Sequence, residues 1–195
     1  MFLARRPSAE AIHEFLRESD NLPLSYGPVG ILDARGRADV DELTVAIGRG
    51  PADFARARAA LMAWKQFEIG WVEIFPKQPP VAAGTSVAVL IRHFGFWSLN
   101  GCRVVYSAGS PGDETRFGYA YGTLTNHAEA GEELFEVFID PETDVVSYRI
   151  RATSWPRATV AKLGQPIVRA LQARFRSHSA VVMERATRTG IASIE

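Results

Sequence analysis

The fold of this chain is decided around residues 116–124, which read Arg-Phe-Gly-Tyr-Ala-Tyr-Gly-Thr-Leu. Because successive side chains of a strand point to opposite faces of a sheet, this stretch predicts one aromatic face and one nearly bare face. The aromatic face is formed by Phe117, Tyr119, Tyr121 and Thr123, and the bare face by Gly118, Ala120, Gly122 and Leu124. Glycine within a strand is unfavourable unless the sheet bends or another group approaches the backbone closely. The bare face therefore indicates either a curved sheet with a closely packed helix or one wall of a ligand cavity.

Further runs of apolar and β-branched residues flank this strand and predict an antiparallel meander. They cover residues 85–91, 102–106, 134–139 and 145–153, with turn-forming residues at 110–113 and 141–144. Spacings of this kind are typical of consecutive hairpins. The second half of the chain is therefore predicted to form one antiparallel sheet.

The first half of the chain mixes short strands with a helix. Residues 43–47 are a strand candidate, and Pro51 opens a predicted helix, because proline is favoured in the first helical turn. Two shorter strand candidates lie at 29–32 and 71–75. The loop at 94–97, Phe-Gly-Phe-Trp, is predicted either to fold over a cavity mouth or to form a contact surface.

A long helix is predicted after the meander, from an apolar stripe over residues 160–182. Pro166 lies within this stripe and predicts a kink or a helix restart, because proline removes a backbone donor. The other face is basic, with Arg169, Arg174, Arg176 and Arg185. This face is interpreted as a solvated surface, with an acidic partner or a membrane surface as the alternative.

The order of these elements predicts an α+β fold in which a curved antiparallel β-sheet wraps around a long C-terminal helix. This order resembles the helix-grip fold of the Bet v 1/START-like proteins, which leaves a cavity between sheet and helix. We expect a single domain over residues 1–195, with 1–40 as an N-terminal extension packing on the sheet and 41–187 as the helix-grip core. Whether the extension caps the sheet or lengthens it stays open at this point.

A more specific resemblance lies in the central strand and the hairpin that follows it. Residues 116–124 are followed by His127 and by Gly131-Glu132-Glu133-Leu134-Phe135, an order similar to the DUF1990 (UPF0548) family pattern. The flanks also resemble the family, at Gly48-Arg49-Gly50, Phe54, Ala60-Leu61, Trp64, Arg103-Val104-Val105-Tyr106, Ala161, Leu163-Gly164 and Pro166. The family commonly has Pro-Gly-His-Pro where this chain reads Thr125-Asn126-His127-Ala128, so a stiff proline loop is lost. The resemblance implies the fold and implies no established activity.

Composition narrows the classes of function. Lys plus Arg and Asp plus Glu both number 22, so the chain lacks the basic excess of a nucleic-acid binder. The single cysteine, Cys102, excludes an intrachain disulfide and is interpreted as a buried core thiol, with a reactive nucleophile as the alternative. No apolar run reaches the ~20 residues of a membrane span, and a bacterial, cytoplasmic protein is predicted. The four histidines lack metal-ligand spacing and no phosphate-binding loop is present, so no metal and no cofactor are predicted.

Candidate site residues cluster at one end of the predicted sheet. Alternation places Glu133 on the apolar face of its strand, where a carboxylate must be paired, hydrogen-bonded or shifted in pKa. Arg103 is its predicted partner, and the candidate ligand-binding residues are Arg103, Tyr119, Tyr121, His127 and Glu133. This cluster would orient a polar ligand head-group, perform acid–base chemistry with His127 or Glu133 as the catalytic candidate, or close the hairpin as a structural network.

The leading functional hypothesis is a small-molecule binding protein that holds an apolar or amphipathic ligand between the sheet and the C-terminal helix. The first alternative is a cofactor-independent enzyme, such as an isomerase, cyclase or hydrolase, that uses the Tyr–His–Glu cluster. The second alternative is a protein-interaction module without a ligand, and a homodimer is left open.

Overall fold

The computed structural model describes residues 2–33, 40–109, 112–156 and 165–189. Within these residues the elements, in chain order, are β1 Phe2–Leu3, α1 Ala9–Ser19, β2 Asp41–Arg49, α2 Gly50–Met62, β3 Val72–Phe75, β4 Ser86–His93, β5 Phe96–Ala108, β6 Arg116–Thr123, β7 Glu129–Ile139, β8 Val145–Pro156 and α3 Gln165–Thr189. Short 3-10 turns cover Ile31–Asp33 and Lys65–Phe67. The strands form one antiparallel sheet in the order β2-β8-β7-β6-β5-β4-β3, and β1 pairs with the beginning of β5.

The sheet curls around α3, so the predicted α+β helix-grip fold is confirmed. The helix packs against α2 and β2 and lies on the concave face. Its described part begins at Gln165, which puts Pro166 in the first turn, whereas Gly164 and the start of the predicted stripe lie outside the described residues. Tyr148 of β8 and Ser179 of α3 share a buried hydrogen bond of 2.8 Å that ties the helix to the sheet.

The main core fills the concave face between the sheet and the two long helices. The apolar face of α2 contributes Phe54, Ala57, Ala60 and Leu61, and α3 contributes Ala180 and Met183. Inward side chains of the sheet complete this core with Tyr119, Phe135, Val137, Tyr148 and Ile150. The alternation of side chains along β6, β7 and β8 therefore places their large apolar residues on the concave face.

The N-terminal part of the chain covers the convex face of the sheet. Ile12 and Phe15 of α1 pack against Ala88, Leu90 and Leu99. Leu32 packs against Ala120 and Leu134. Both faces of the sheet are thus covered by protein.

The bare face of β6 is covered by the N-terminal segment, and neither the packed helix nor the cavity expected from the sequence lies against it. A Cβ on Gly122 would overlap the Tyr26 hydroxyl, so the absence of a side chain lets residues 24–33 approach the strand. Close approach was therefore expected correctly. The approaching element is the N-terminal segment rather than a helix, and this face is not a cavity wall.

Two local predictions were wrong. Residues 29–32 were expected to form a strand, but Gly30 has a φ of +84° and Ile31–Asp33 form a 3-10 turn. The loop expected at 94–97 is shorter, because Phe96 and Trp97 begin β5 and only Phe94 and Gly95 make the turn. Both turn residues have positive φ, as a two-residue hairpin requires. Phe94 is 71% and Phe96 54% exposed, so these rings point to solvent instead of covering a cavity.

Candidate functional site

A cavity of about 350 Å³ lies between the concave face of the sheet and α3. Its walls are mainly apolar and include Phe67, Trp71, Val72, Val89, Ile91, Leu171 and Phe175. Its polar side chains include Tyr121, His127, Glu129, Glu133, Gln172 and Arg176. The sheet curves away from the helix here, so the side chains of β6, β7 and α3 do not close the space between them.

Glu133 and Tyr121 form the centre of the polar end. They lie directly opposite each other on β7 and β6, and the Tyr121 hydroxyl donates to Glu133 Oε2 over 2.7 Å. Burial raises the pKa of Glu133 to about 7, although the Tyr121 hydrogen bond and the charge of Arg176 act in the opposite direction. Burial also raises the pKa of Tyr121, and the neighbouring Glu133 raises it further. The pair is therefore a neutral phenol beside a carboxyl group that titrates near neutral pH.

A second carboxyl group, Glu129, lies at the beginning of β7. It accepts hydrogen bonds from Gln172 Nε2 at 3.2 and 3.3 Å and from Ser154 Oγ at 3.3 Å. Burial raises its pKa, and these hydrogen bonds lower it in part. Gln172 of α3 thus joins the helix to the polar end of the cavity.

Arg176 lies one turn further along α3 and also lines the cavity. Its side chain is 14% exposed, and its one hydrogen bond among the described residues is a long contact of 3.5 Å to exposed Asp41. The sequence placed Arg176 on a solvated helix face, and this interpretation was wrong. Glu129 and Gln172 were also missed, because polar side chains beside an apolar stripe look the same whether they meet solvent or a cavity.

His127 lies in the loop between β6 and β7 and lines the cavity as predicted for a site residue. Its Nδ1 accepts the backbone N–H of Glu129 over 2.9 Å, which fixes the ring at the start of β7. Nearby, Thr123 Oγ1 accepts the backbone N–H of Gly131 over 2.8 Å and closes the hairpin. The loop is therefore held by hydrogen bonds.

The structure does not bring Tyr119 or Arg103 to this site. Tyr119 is fully buried in the core, packs against the tilted ring of Trp64 and accepts a hydrogen bond from Gln66 Nε2. Arg103 lies opposite Gly122 on the convex face and donates to the carbonyl oxygens of Ser19, Asp20 and Leu22. The predicted pairing of Arg103 with Glu133 was wrong, because the two side chains lie on opposite faces of the sheet. Arg103 instead ties the end of α1 to β5.

Three further features bear on the class of site. Among the described residues, no three or more His, Cys, Asp or Glu side chains are arranged to hold a metal ion. Within the same part of the chain, no helix is long and apolar enough to cross a membrane. Cys102 is fully buried and burial raises its pKa, as expected for a core thiol.

Fold and site together define a helix-grip protein with a mainly apolar cavity between the sheet and α3. The chain matches the model of the DUF1990 family, a domain of unknown function, over residues 26–181. The chain belongs to this family, as the motifs around β6 and β7 predicted.

Named relatives agree with this assignment. A UPF0548 protein from Dictyostelium discoideum is 32% identical over 90% of this chain and 90% of its own length. A UPF0548 protein from Deinococcus radiodurans is 33% identical over 95% of this chain and 98% of its own length. The family therefore includes a eukaryotic member, and the prediction of a bacterial protein is not supported. Among solved structures, a hypothetical protein from Helicobacter pylori is 12% identical, with a TM-score of 0.53 over 85% of this chain and 98% of its own, which supports the fold alone.

Proposed function

We propose that this protein binds a small apolar or amphipathic molecule between its sheet and α3. The observation that carries the proposal is the cavity of about 350 Å³, which has apolar walls and a few polar groups gathered at one end. Small-molecule sites share this design and span roughly 300–1,000 Å³. The cavity lies at the lower end of that range, so the proposed ligand is small.

A pair of tryptophan substitutions on the same helix tests this proposal. Leu171→Trp places a larger side chain in the cavity, whereas Val181→Trp adds the same side chain at a position that is 45% exposed and outside the cavity lining. The wild-type protein is purified, measured by native mass spectrometry and extracted under denaturing conditions. We expect a molecule bound to the wild type and to Val181→Trp and lost from Leu171→Trp.

Binding of neutral decanol, measured by calorimetry, extends the test to a protein purified empty. Equal decanol affinity in Leu171→Trp and in the wild type would contradict binding in this cavity. So would the absence of both a retained molecule and decanol binding.

A cofactor-independent enzyme is the second candidate, and the Glu133–Tyr121 pair favours it. A carboxyl group with a pKa of about 7 is suited to accept and return a proton at neutral pH, and a phenol stabilises developing negative charge. If the retained molecule is also a substrate, the wild type in deuterated water will exchange one of its carbon-bound hydrogens. Glu133→Gln would then bind the molecule without exchange, and equal exchange by both proteins would contradict a role for Glu133.

An interaction module is the third candidate, and the exposed rings of Phe94 and Phe96 favour it. Self-association through these rings predicts a concentration-dependent elution volume in gel filtration that Phe94→Ser removes. A constant monomeric volume would exclude self-association through this turn. The cytoplasmic location stays a prediction, to be tested by fractionating cells that express the protein.

A further inference from the structure

The polar end of the cavity contains hydrogen-bonding capacity that the described protein does not use. Glu133 Oε2 accepts from Tyr121, whereas Oε1 has no hydrogen-bond partner among the described residues. Arg176 carries five N–H donors, and its long contact with Asp41 uses one of them within the described chain. Glu133 and Arg176 are half-buried and line the cavity, so these atoms are open to water or to a ligand there.

Glu133 and Arg176 face the same space without touching each other. No ion pair joins them among the described residues, although the charge of Arg176 is close enough to lower the pKa of Glu133. A group seated between them would contact a guanidinium on one side and a carboxyl group on the other. Such a group must accept hydrogen bonds from Arg176 and also share a proton with Glu133.

The charges around Glu133 restrict what this group can be. Tyr121 faces it from β6, Cys102 influences it from β5, Glu129 lies on its own strand, and Arg176 faces it from α3. His127 lines the same end of the cavity. A ligand cation would be repelled by Arg176, and a doubly charged phosphate would face two carboxyl groups with a single arginine. A singly charged carboxylate would pair with Arg176 and meet a protonated, neutral Glu133, while Glu129 is held by Gln172 and Ser154.

We propose that this end of the cavity binds the carboxylate of a monocarboxylic acid with an apolar body, which accepts hydrogen bonds from Arg176 and from the protonated Glu133 side chain. This inference rests on the proposed function, because it names the head-group of the molecule that the apolar walls enclose. Tyr121 orients Glu133 by donating to Oε2, so that Oε1 carries the proton toward the ligand. The apolar body then lies along Phe67, Val89 and Phe175.

Matched probes with one apolar chain and three head-groups test the proposal. Decanoate, decanol and decylamine are titrated against the whole protein by calorimetry at pH 6. We expect decanoate to bind about tenfold or more tightly than decanol, because charge-assisted hydrogen bonds to a partly buried arginine are strong. Arg176→Met should lose this preference while binding decanol as before. Arg188→Met, on the same helix but exposed and paired with Glu184, should retain the preference.

The outcomes separate this inference from the proposed function. If decanol binds and decanoate gains nothing, or if decylamine binds most tightly, the head-group assignment is overturned and the apolar site stands. If none of the three probes binds and no molecule is retained on purification, the proposed function itself fails. If Arg176→Met keeps the preference for decanoate, the anion is held elsewhere and the assignment is overturned.

The pH dependence of decanoate affinity tests the role of Glu133 independently of Arg176. Decanoate stays ionised between pH 6 and 8.5, whereas Glu133 loses its proton in this range, so wild-type affinity should fall by about tenfold or more. Glu133→Gln retains an N–H donor without a titrating proton, so its affinity should change by less than about twofold. His127→Gln should keep the fall in affinity between pH 6 and 8.5, whatever its affinity at pH 6, because Glu133 is still present. A pH-independent wild type, or a Glu133→Gln protein that keeps the full pH dependence, would overturn the role of Glu133.

Discussion

Replacing Glu133 with glutamine should stabilise the unliganded protein at alkaline pH and change its stability little at acidic pH. Burial raises the pKa of Glu133 to about 7 from an ordinary value of 4.5, so the folded protein holds this proton more tightly than the unfolded chain. Each tenfold change in proton affinity is worth about 1.4 kcal/mol, so ionised Glu133 costs the folded state about 3 kcal/mol above pH 7. The cost is absent below pH 4.5, grows as the pH rises to 7 and is constant beyond. Glutamine avoids this cost and still accepts the Tyr121 hydrogen bond.

The assay is urea unfolding of both proteins at several pH values from 4.5 to 8.5, analysed as the difference in unfolding free energy. Titrating groups that do not interact with Glu133 contribute equally to the two proteins, so their contributions cancel in the difference. Glu142→Gln, at an exposed turn between β7 and β8, serves as a matched control and should show a small difference at every pH. A difference that does not change with pH, or a wild type that is more stable than Glu133→Gln at pH 8, would refute a burial cost at Glu133.

Two substitutions test contacts on the convex face, and a labelling experiment tests the burial of Cys102 in the core. Tyr26→Phe removes one of three donors to buried Glu132 and should cost about 1–3 kcal/mol of unfolding free energy in urea; an unchanged midpoint would contradict this. Gly122→Ala should cost a similar amount, because the new methyl group meets Tyr26, and should cost little in a Tyr26→Ala background; equal costs in both backgrounds would rule out this contact. Cys102 should react with a thiol reagent only after unfolding, since its thiol is fully buried and burial raises its pKa; prompt labelling of the native protein would contradict this.

Local sequence patterns predicted much of the fold, because side chains of different character alternate along each strand. The predicted hairpin between β6 and β7 was expected to bring Glu133 near Tyr121, and the two residues lie directly opposite each other. The failure at residues 29–32 has a long-range cause. Gly30 takes a positive φ and donates its N–H to Glu132, a residue that no local pattern connects with it.

The candidate site was predicted in part, because alternation assigns faces only when one face is polar. Here both faces are covered, and β5 carries apolar Val104 and Val105 in succession, so its pattern does not reveal that Arg103 points to the convex side. The position of Arg176 at the cavity was not predicted for a related reason. A polar side chain at the end of an internal cavity sits beside apolar neighbours just as one at a helix surface does, and only the position of the curved sheet separates the two cases.

The neighbouring glutamates of β7 show how one strand serves both sides of the sheet. Glu132 points to the convex face, where the hydroxyls of Tyr26 and Tyr106 and the Gly30 N–H all donate to it. Glu133 points to the concave face, where Tyr121 is its single donor among the described residues. Three donors satisfy the first carboxyl group, which therefore fastens the N-terminal segment to the sheet. The second is left with an oxygen facing a cavity, and this inequality, rather than the residue type, identifies Glu133 as the functional candidate.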